Sequence, residues 1–105
     1  MIRNISLSAR AVRSGGLFDA IIESDNEVEI TLRCFRRTPP PPQLVPCGRI
    51  RLQLVVLTAE MLVRTTGRIV VNPQQFPLHS EGKITVTARD KVDYHFVSRD
   101  IDVVV

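Results

Sequence analysis

Glu27-Val28-Glu29-Ile30-Thr31-Leu32-Arg33-Cys34-Phe35 is the stretch that decides the fold class. Val28, Ile30, Leu32 and Cys34 alternate with Glu29, Thr31 and Arg33. Successive side chains of a strand point to opposite faces, so this two-residue period predicts a strand with one buried and one wet face. A helix needs apolar residues three and four apart instead. Composition extends the argument to the whole chain. Fourteen valines, nine isoleucines and seven threonines make 30 of its 105 residues, and these stiff, branched side chains suit a pleated surface better than a helix.

Moving toward the N-terminus, Leu17–Glu23 holds Leu17, Phe18, Ile21 and Ile22 at a helical spacing. Gly15-Gly16 before it and Ser24-Asp25-Asn26 after it leave only seven residues, the length of a strand. Ile2–Ser8 alternates through Ile5 and Leu7 and predicts a first strand. Moving toward the C-terminus, Pro39-Pro40-Pro41-Pro42 removes four backbone donors and favours an extended, unpaired path, so it predicts a projecting connection ending near Val45-Pro46-Cys47-Gly48. Ile50, Leu52 and Leu54 alternate as inward positions. The run then becomes continuously apolar over Leu54–Leu57, which reads as a central strand or one covered by a neighbouring subunit. Glu60–Thr66 fits a strand or a single helical turn capped by Thr58, with Met61 and Leu62 inside. A short strand is expected at Arg68–Val71, then a loop over Gln74–Glu81 with Phe76 and Leu78 tucked in. Lys83–Val97 reads as a hairpin turning at Asp90-Lys91, with Val92, Tyr94 and Phe96 on one face. Ser98-Arg99-Asp100 then turns into a last strand, Ile101–Val105. Eight to nine short strands at such spacing predict a single-domain β-sandwich or small barrel over residues 1–105, with 36–47 as a proline-rich arm.

The chemistry expected of this sequence is sparse. A transmembrane helix is excluded, because charged residues interrupt every apolar window. No Gly-rich phosphate loop, nucleophile elbow or dinucleotide fingerprint occurs. His79 and His95 are sixteen residues apart, without ligand spacing. Asp19, Glu23 and Asp25 read as a solvated acidic edge rather than a calcium site. The expectation is therefore a protein that is not an enzyme and takes no cofactor or metal. Cys34 and Cys47 flank the proline run. A bridge there would contribute ~3 kcal/mol through loop closure, but the segment Met1–Ser8 has no signal-peptide layout, and folding in a cytosol predicts reduced thiols. Net charge is +3, with 12 arginines to 2 lysines. Arg33, Arg36, Arg37, Arg49 and Arg51 cluster around the proline run, which keeps a barrel that binds single-stranded nucleic acid as the alternative. Such a site also needs exposed aromatics, and most of the few present fall on expected core faces.

Gly15-Gly16-Leu17-Phe18-Asp19-Ala20-Ile21-Ile22-Glu23 followed by Glu27-Val28-Glu29-Ile30-Thr31-Leu32 resembles small virion proteins of tailed bacteriophages. In those a glycine and an aromatic open a strand ending in an acidic residue, and a short turn leads to an alternating strand. Gly82–Thr87 and Val92–Arg99 are similar to their closing stretch. The resemblance covers about half the chain, in pattern more than identity. It implies an all-β, jelly-roll-like antiparallel β-sandwich of about eight strands, acting as a capsid decoration or cement subunit, or as a tail- or neck-associated one. It also implies residence in the virion after assembly in the host cytoplasm. Its partners would be further copies of itself and the major capsid protein, with no membrane and no nucleic acid. Two segments suit such docking as extended connectors. They are the proline excursion, through Arg36, Arg37, Pro39, Pro40, Pro41 and Pro42, and the apolar terminus, through Ile101, Val103, Val104 and Val105.

Overall fold

A computed structural model describes residues 1–105, and they form nine strands and no helix. The strands are β1 (Ile2–Leu7), β2 (Ala11–Val12), β3 (Leu17–Ser24), β4 (Val28–Thr38), β5 (Gln43–Val45), β6 (Leu52–Leu57), β7 (Val63–Val70), β8 (Glu81–Asp90) and β9 (Phe96–Val103). They build a sandwich from a four-stranded sheet ordered β1-β3-β7-β6 and a five-stranded sheet ordered β2-β9-β8-β4-β5. All neighbours run antiparallel except β2 and β9, where Ala11 and Val12 lie parallel to Asp102 and Val103.

Alternation fills the space between the sheets. β3 turns Phe18, Ala20 and Ile22 inward, and β8 turns Ile84, Val86 and Ala88 toward them. Ile69, Val28, Cys34, Ile101 and Val103 complete one continuous apolar cluster with Ile2, Ile5, Val12, Val71 and Phe76. Phe76 is tucked in as expected, but Leu78 in the same loop is exposed.

Several expectations are corrected by long-range pairing. β4 does not stop at Phe35 but runs to Thr38, because β8 pairs with it over nearly its whole length. Arg68–Val71 is not a separate strand; Arg68–Val70 closes β7, whose earlier residues pair with both β3 and β6, and Val71 follows it into the core. The stretch before β7 is a tight turn rather than a helical one. Met61 N–H donates to the Thr58 carbonyl, Leu62 N–H bonds the Thr58 hydroxyl, and Met61 is exposed with φ at 64°. The hairpin of β8 and β9 turns through residues 91–95 rather than at two residues, so Val92 and Tyr94 belong to its loop and are exposed. Ser98-Arg99-Asp100 does not turn; it is the middle of β9.

Candidate interaction surface

The proline run forms the tip of a hairpin. β5 folds back on β4, pairing Cys34 with Val45 and Arg36 with Gln43, and Pro39–Pro42 round the end. The Thr38–Pro39 and Pro40–Pro41 peptide bonds are cis. All four prolines and Leu44 face solvent. The molecule is elongated, 45 × 21 × 19 Å, with a radius of gyration of 14.2 Å, against about 13 Å for an average domain of this size.

Cys34 and Cys47 are joined in a disulfide, not held as free thiols. The register explains it. Cys34 lies opposite Val45, so two residues later Cys47 returns beside β4, its Cα 5.6 Å from that of Cys34, within the span a bridge needs. Burial of Cys34 in the core ties the hairpin base to the sandwich. Replacing both cysteines by alanine is expected to lower stability by about 3 kcal/mol on the chain-entropy account. Urea unfolding of the variant beside the oxidised parent measures it, and equal midpoints would contradict it.

The candidate interface residues divide into two groups. Arg37 and Pro39–Pro42 are exposed on the hairpin. Arg36 is partly buried and donates to the Gln75 carbonyl at 3.0 Å, so it braces the hairpin against the 72–80 loop. Ile101 and Val103 are taken up by the chain's own core, since β9 lies between β8 and β2 in its sheet. Only Val104 and Val105 of that set are exposed.

β6 corrects the expectation of a central strand. It is the edge of its sheet, bonded to β7 alone. Leu52, Leu54, Val55, Val56 and Leu57 are each 48–60% exposed. In its register with β7, Leu52, Leu54 and Val56 share the outer face with Arg68, Thr66 and Arg64. Gln53, Val55 and Leu57 share the inner face with Gly67, Thr65 and Val63. The facing sheet does not reach over them, because β5 pairs only with the far part of β4.

The acidic residues of the four-stranded sheet are paired with arginines on its surface. Asp19 meets Arg68 at 3.0 Å, Glu23 meets Arg64 at 3.2 Å and Asp25 meets Arg3 at 2.9 Å. No three His, Cys, Asp or Glu side chains are grouped to hold a metal ion. No helix is long and apolar enough to cross a membrane. Of the clustered arginines, Arg33 shares an open face with an exposed aromatic, Phe96, on the five-stranded sheet. Phe96 and Tyr94 are both 65% exposed, against the expectation of core faces, and the Arg89 guanidinium lies 5.7 Å from the Tyr94 ring centre. The same surface carries Glu29, paired with Arg89 at 2.8 Å, and Asp100.

One end of the sandwich is closed by a buried carboxylate. Asp90 is fully buried at the end of β8. It accepts hydrogen bonds from the Met1 ammonium at 2.7 Å, the Ser24 hydroxyl at 2.8 Å, the Asn26 amide at 3.2 Å, and the Val92 and Asp93 N–H groups at 2.9 and 3.3 Å. Burial pushes its carboxyl upward, but these donors outweigh that and hold it well below the ordinary carboxylate range. The Met1 ammonium is raised to about 10 by its hydrogen bonds to Asp90 and Asp93. The only sequence signal at this clamp is the Asp90-Lys91 turn; that the Asp90 side chain caps the loop, in which Tyr94 takes a φ of 64°, is visible only in the structure.

The fold and surface together define an all-β sandwich with an apolar edge and a disulfide-closed hairpin. Comparison with known proteins gives no match: no family model, no curated protein and no solved structure.

Proposed function

We propose that this chain is a non-enzymatic structural subunit of a tailed-phage virion, a decoration or cement protein that stabilises the particle by binding neighbouring subunits. The observation that carries the reading is the hairpin of β4 and β5. It is closed at its base by Cys34–Cys47 and ends in four exposed prolines beside exposed Leu44. A segment held in one shape in advance loses little conformational entropy when it docks. Many such weak contacts, repeated over a symmetric lattice, add up to firm attachment. The proposal includes kinship with jelly-roll-like virion subunits, supported by the two-sheet sandwich and by the sequence resemblance. The partners are further copies of the chain and the major capsid protein, and the location is the virion, at the head surface or in a tail or neck position. A disulfide accords with a protein that works outside a reducing cytosol.

Mass spectrometry of purified particles from the encoding phage is the direct test. A fixed ratio to the major capsid protein is expected, and absence from the particle would overturn the reading. Replacing Pro39–Pro42 by Asn-Gly is expected to leave the β-sheet circular dichroism intact and to weaken attachment to particles about tenfold. Loss of the dichroism signal would show that the hairpin tip is part of the folding unit rather than an arm.

A second reading, a single-stranded nucleic-acid binder, is favoured by exposed Phe96 and Tyr94 lying near Arg33 and Arg89. Base stacking on aromatics beside arginine is how such proteins hold single strands. Oligonucleotide binding that weakens steeply with salt, and is lost in Phe96→Ala, would establish it over the virion reading.

A further inference from the structure

We infer that β6 is a self-docking edge, at which two copies of this chain pair antiparallel through Leu52–Leu57 about a two-fold axis at Val55. The inference specifies the self-association in the reading above, but it stands whether or not the chain belongs to a virion.

Among the four sheet edges, β6 alone is both long and apolar. β2 has two residues and β5 has three, and β1 presents exposed Arg3, Asn4 and Ser6. Natural edge strands are usually blunted by a lysine, a proline or an inward charge. Leu52–Leu57 has none of these and is exposed on both faces.

The backbone sets the register. Thr58 N–H donates to the Leu62 carbonyl, which lies opposite it in the pairing of β6 with β7. Strand bonding alternates, so Leu52, Leu54 and Val56 turn their amides toward β7. Gln53, Val55 and Leu57 then offer theirs to the free edge. With Val55 opposite Val55 of the second copy, Gln53 meets Leu57 and Leu57 meets Gln53, and every free amide of the strand is used. A two-fold axis perpendicular to the sheet keeps Leu54 and Val56 with their outer-face counterparts, and Val55 with its inner-face one.

Charge selects both the orientation and the partner. Arg49 and Arg51 precede β6 and Glu60 follows it. Antiparallel pairing brings the basic end of one strand beside the acidic end of the other, whereas parallel pairing would set arginine against arginine. A partner strand must be uncharged for six residues, apolar on both faces, acidic at one end and basic at the other. This chain's own β6 meets all of these conditions. The pairing would extend β1-β3-β7-β6 into one eight-stranded sheet.

The test is the mass in solution of the purified, oxidised chain. Sedimentation equilibrium at ~100 µM is expected to give twice the 11.8 kDa of the chain. Val55→Pro removes a donor that β7 does not use, so the fold is expected to persist while the dimer dissociation constant rises at least about 100-fold. Val55→Lys, at an already exposed position, places like charges at the axis and is expected to do the same. A monomeric parent would overturn the inference, and so would a dimer untouched by both variants. A dimer that fails to bind particles would leave the edge standing and remove the virion reading. A monomer that binds particles would do the reverse.

Discussion

Gly82→Ala is expected to lower stability by about 4 kcal/mol, a large share of what a domain this size possesses. Gly82 pairs with Arg36 on one side and Val103 on the other, in the middle of the five-stranded sheet. A β-carbon there would lie 2.0 Å from the Phe35 carbonyl oxygen and 3.0 Å from the Arg36 Cα. Those are backbone atoms, so no rotamer change relieves the clash. Strand β4 would have to move away from β8 just where the register already shifts between Arg36 and Thr38. The movement would also pull on the hairpin base, since Cys34 and Arg36 anchor it. A fall in melting temperature of about 20 °C is expected for the variant. Gly48→Ala is the control. Nothing lies within 4 Å of its β-carbon position, and its melting temperature should match or slightly exceed the parent's. Melting of Gly82→Ala within ~3 °C of the parent would refute the account.

Asp90→Ala is expected to be nearly as damaging. The carboxylate sits where the two sheets meet, holding Ser24 of β3, Asn26 of the following turn and the Val92 and Asp93 amides of the 91–95 loop. Removing it takes the shared acceptor away from the Met1 ammonium, the Asn26 amide and the Val92 and Asp93 N–H groups, all partly buried, at a cost of about 3 kcal/mol. Asp90→Asn keeps an acceptor but not the charge, and should cost about half as much. The pH dependence has a definite sign. The carboxyl is held below its ordinary 3.8 in the folded state, so the folded protein binds fewer protons there than the unfolded chain. The contribution is therefore complete above the unfolded value and is lost as pH falls through the acid range. Urea midpoints measured between pH 6 and pH 2.5 should fall steeply for the parent below about pH 4 and less steeply for Asp90→Asn. Parallel profiles would show that Asp90 does not carry the acid sensitivity.

Sequence pattern revealed the strands whose two faces differ in exposure. Val28–Cys34 and Ile84–Val86 alternate because one face meets the core and the other meets water. Leu17–Glu23 was resolved by its flanking turns, and Phe18, Ala20 and Ile22 do point inward. Where the two faces are alike, pattern failed. Leu54–Leu57 has the signature of burial on both sides, yet within this chain it is exposed on both, because no local rule says whether a covering sheet extends that far. Val92, Tyr94 and Phe96 alternate like a strand, but bonds from Val92 and Asp93 to the Asp90 side chain capture Val92 and Tyr94 in a loop, and β9 begins only at Phe96.

The candidate interface was legible to a similar degree. The prolines marked an exposed tip, since they cannot join a ladder. Ile101 and Val103 could not be distinguished from docking residues by type, because an apolar strand face reads the same whether it packs within its own sandwich or against a neighbour. The disulfide was legible only as a possibility, since thirteen residues of separation became a 5.6 Å approach through the register of β4 with β5.

The short parallel pairing of Ala11 and Val12 with Asp102 and Val103 has a kinetic side. It can form only after nearly all of the intervening chain has been made, and β1 likewise meets β9 across the core late in the sequence. Folding dominated by such distant pairings belongs to the slow, millisecond-to-second range. Through that interval Leu52–Leu57 has been synthesised while the facing sheet, which needs β8 and β9, is still incomplete and the β1-β3-β7-β6 sheet has nothing to pack against. The same strand that is suited to one symmetric partner is, for that time, open to pairing in any register with any neighbouring chain. Yield on refolding should therefore decline with protein concentration more sharply for the parent than for Val55→Lys.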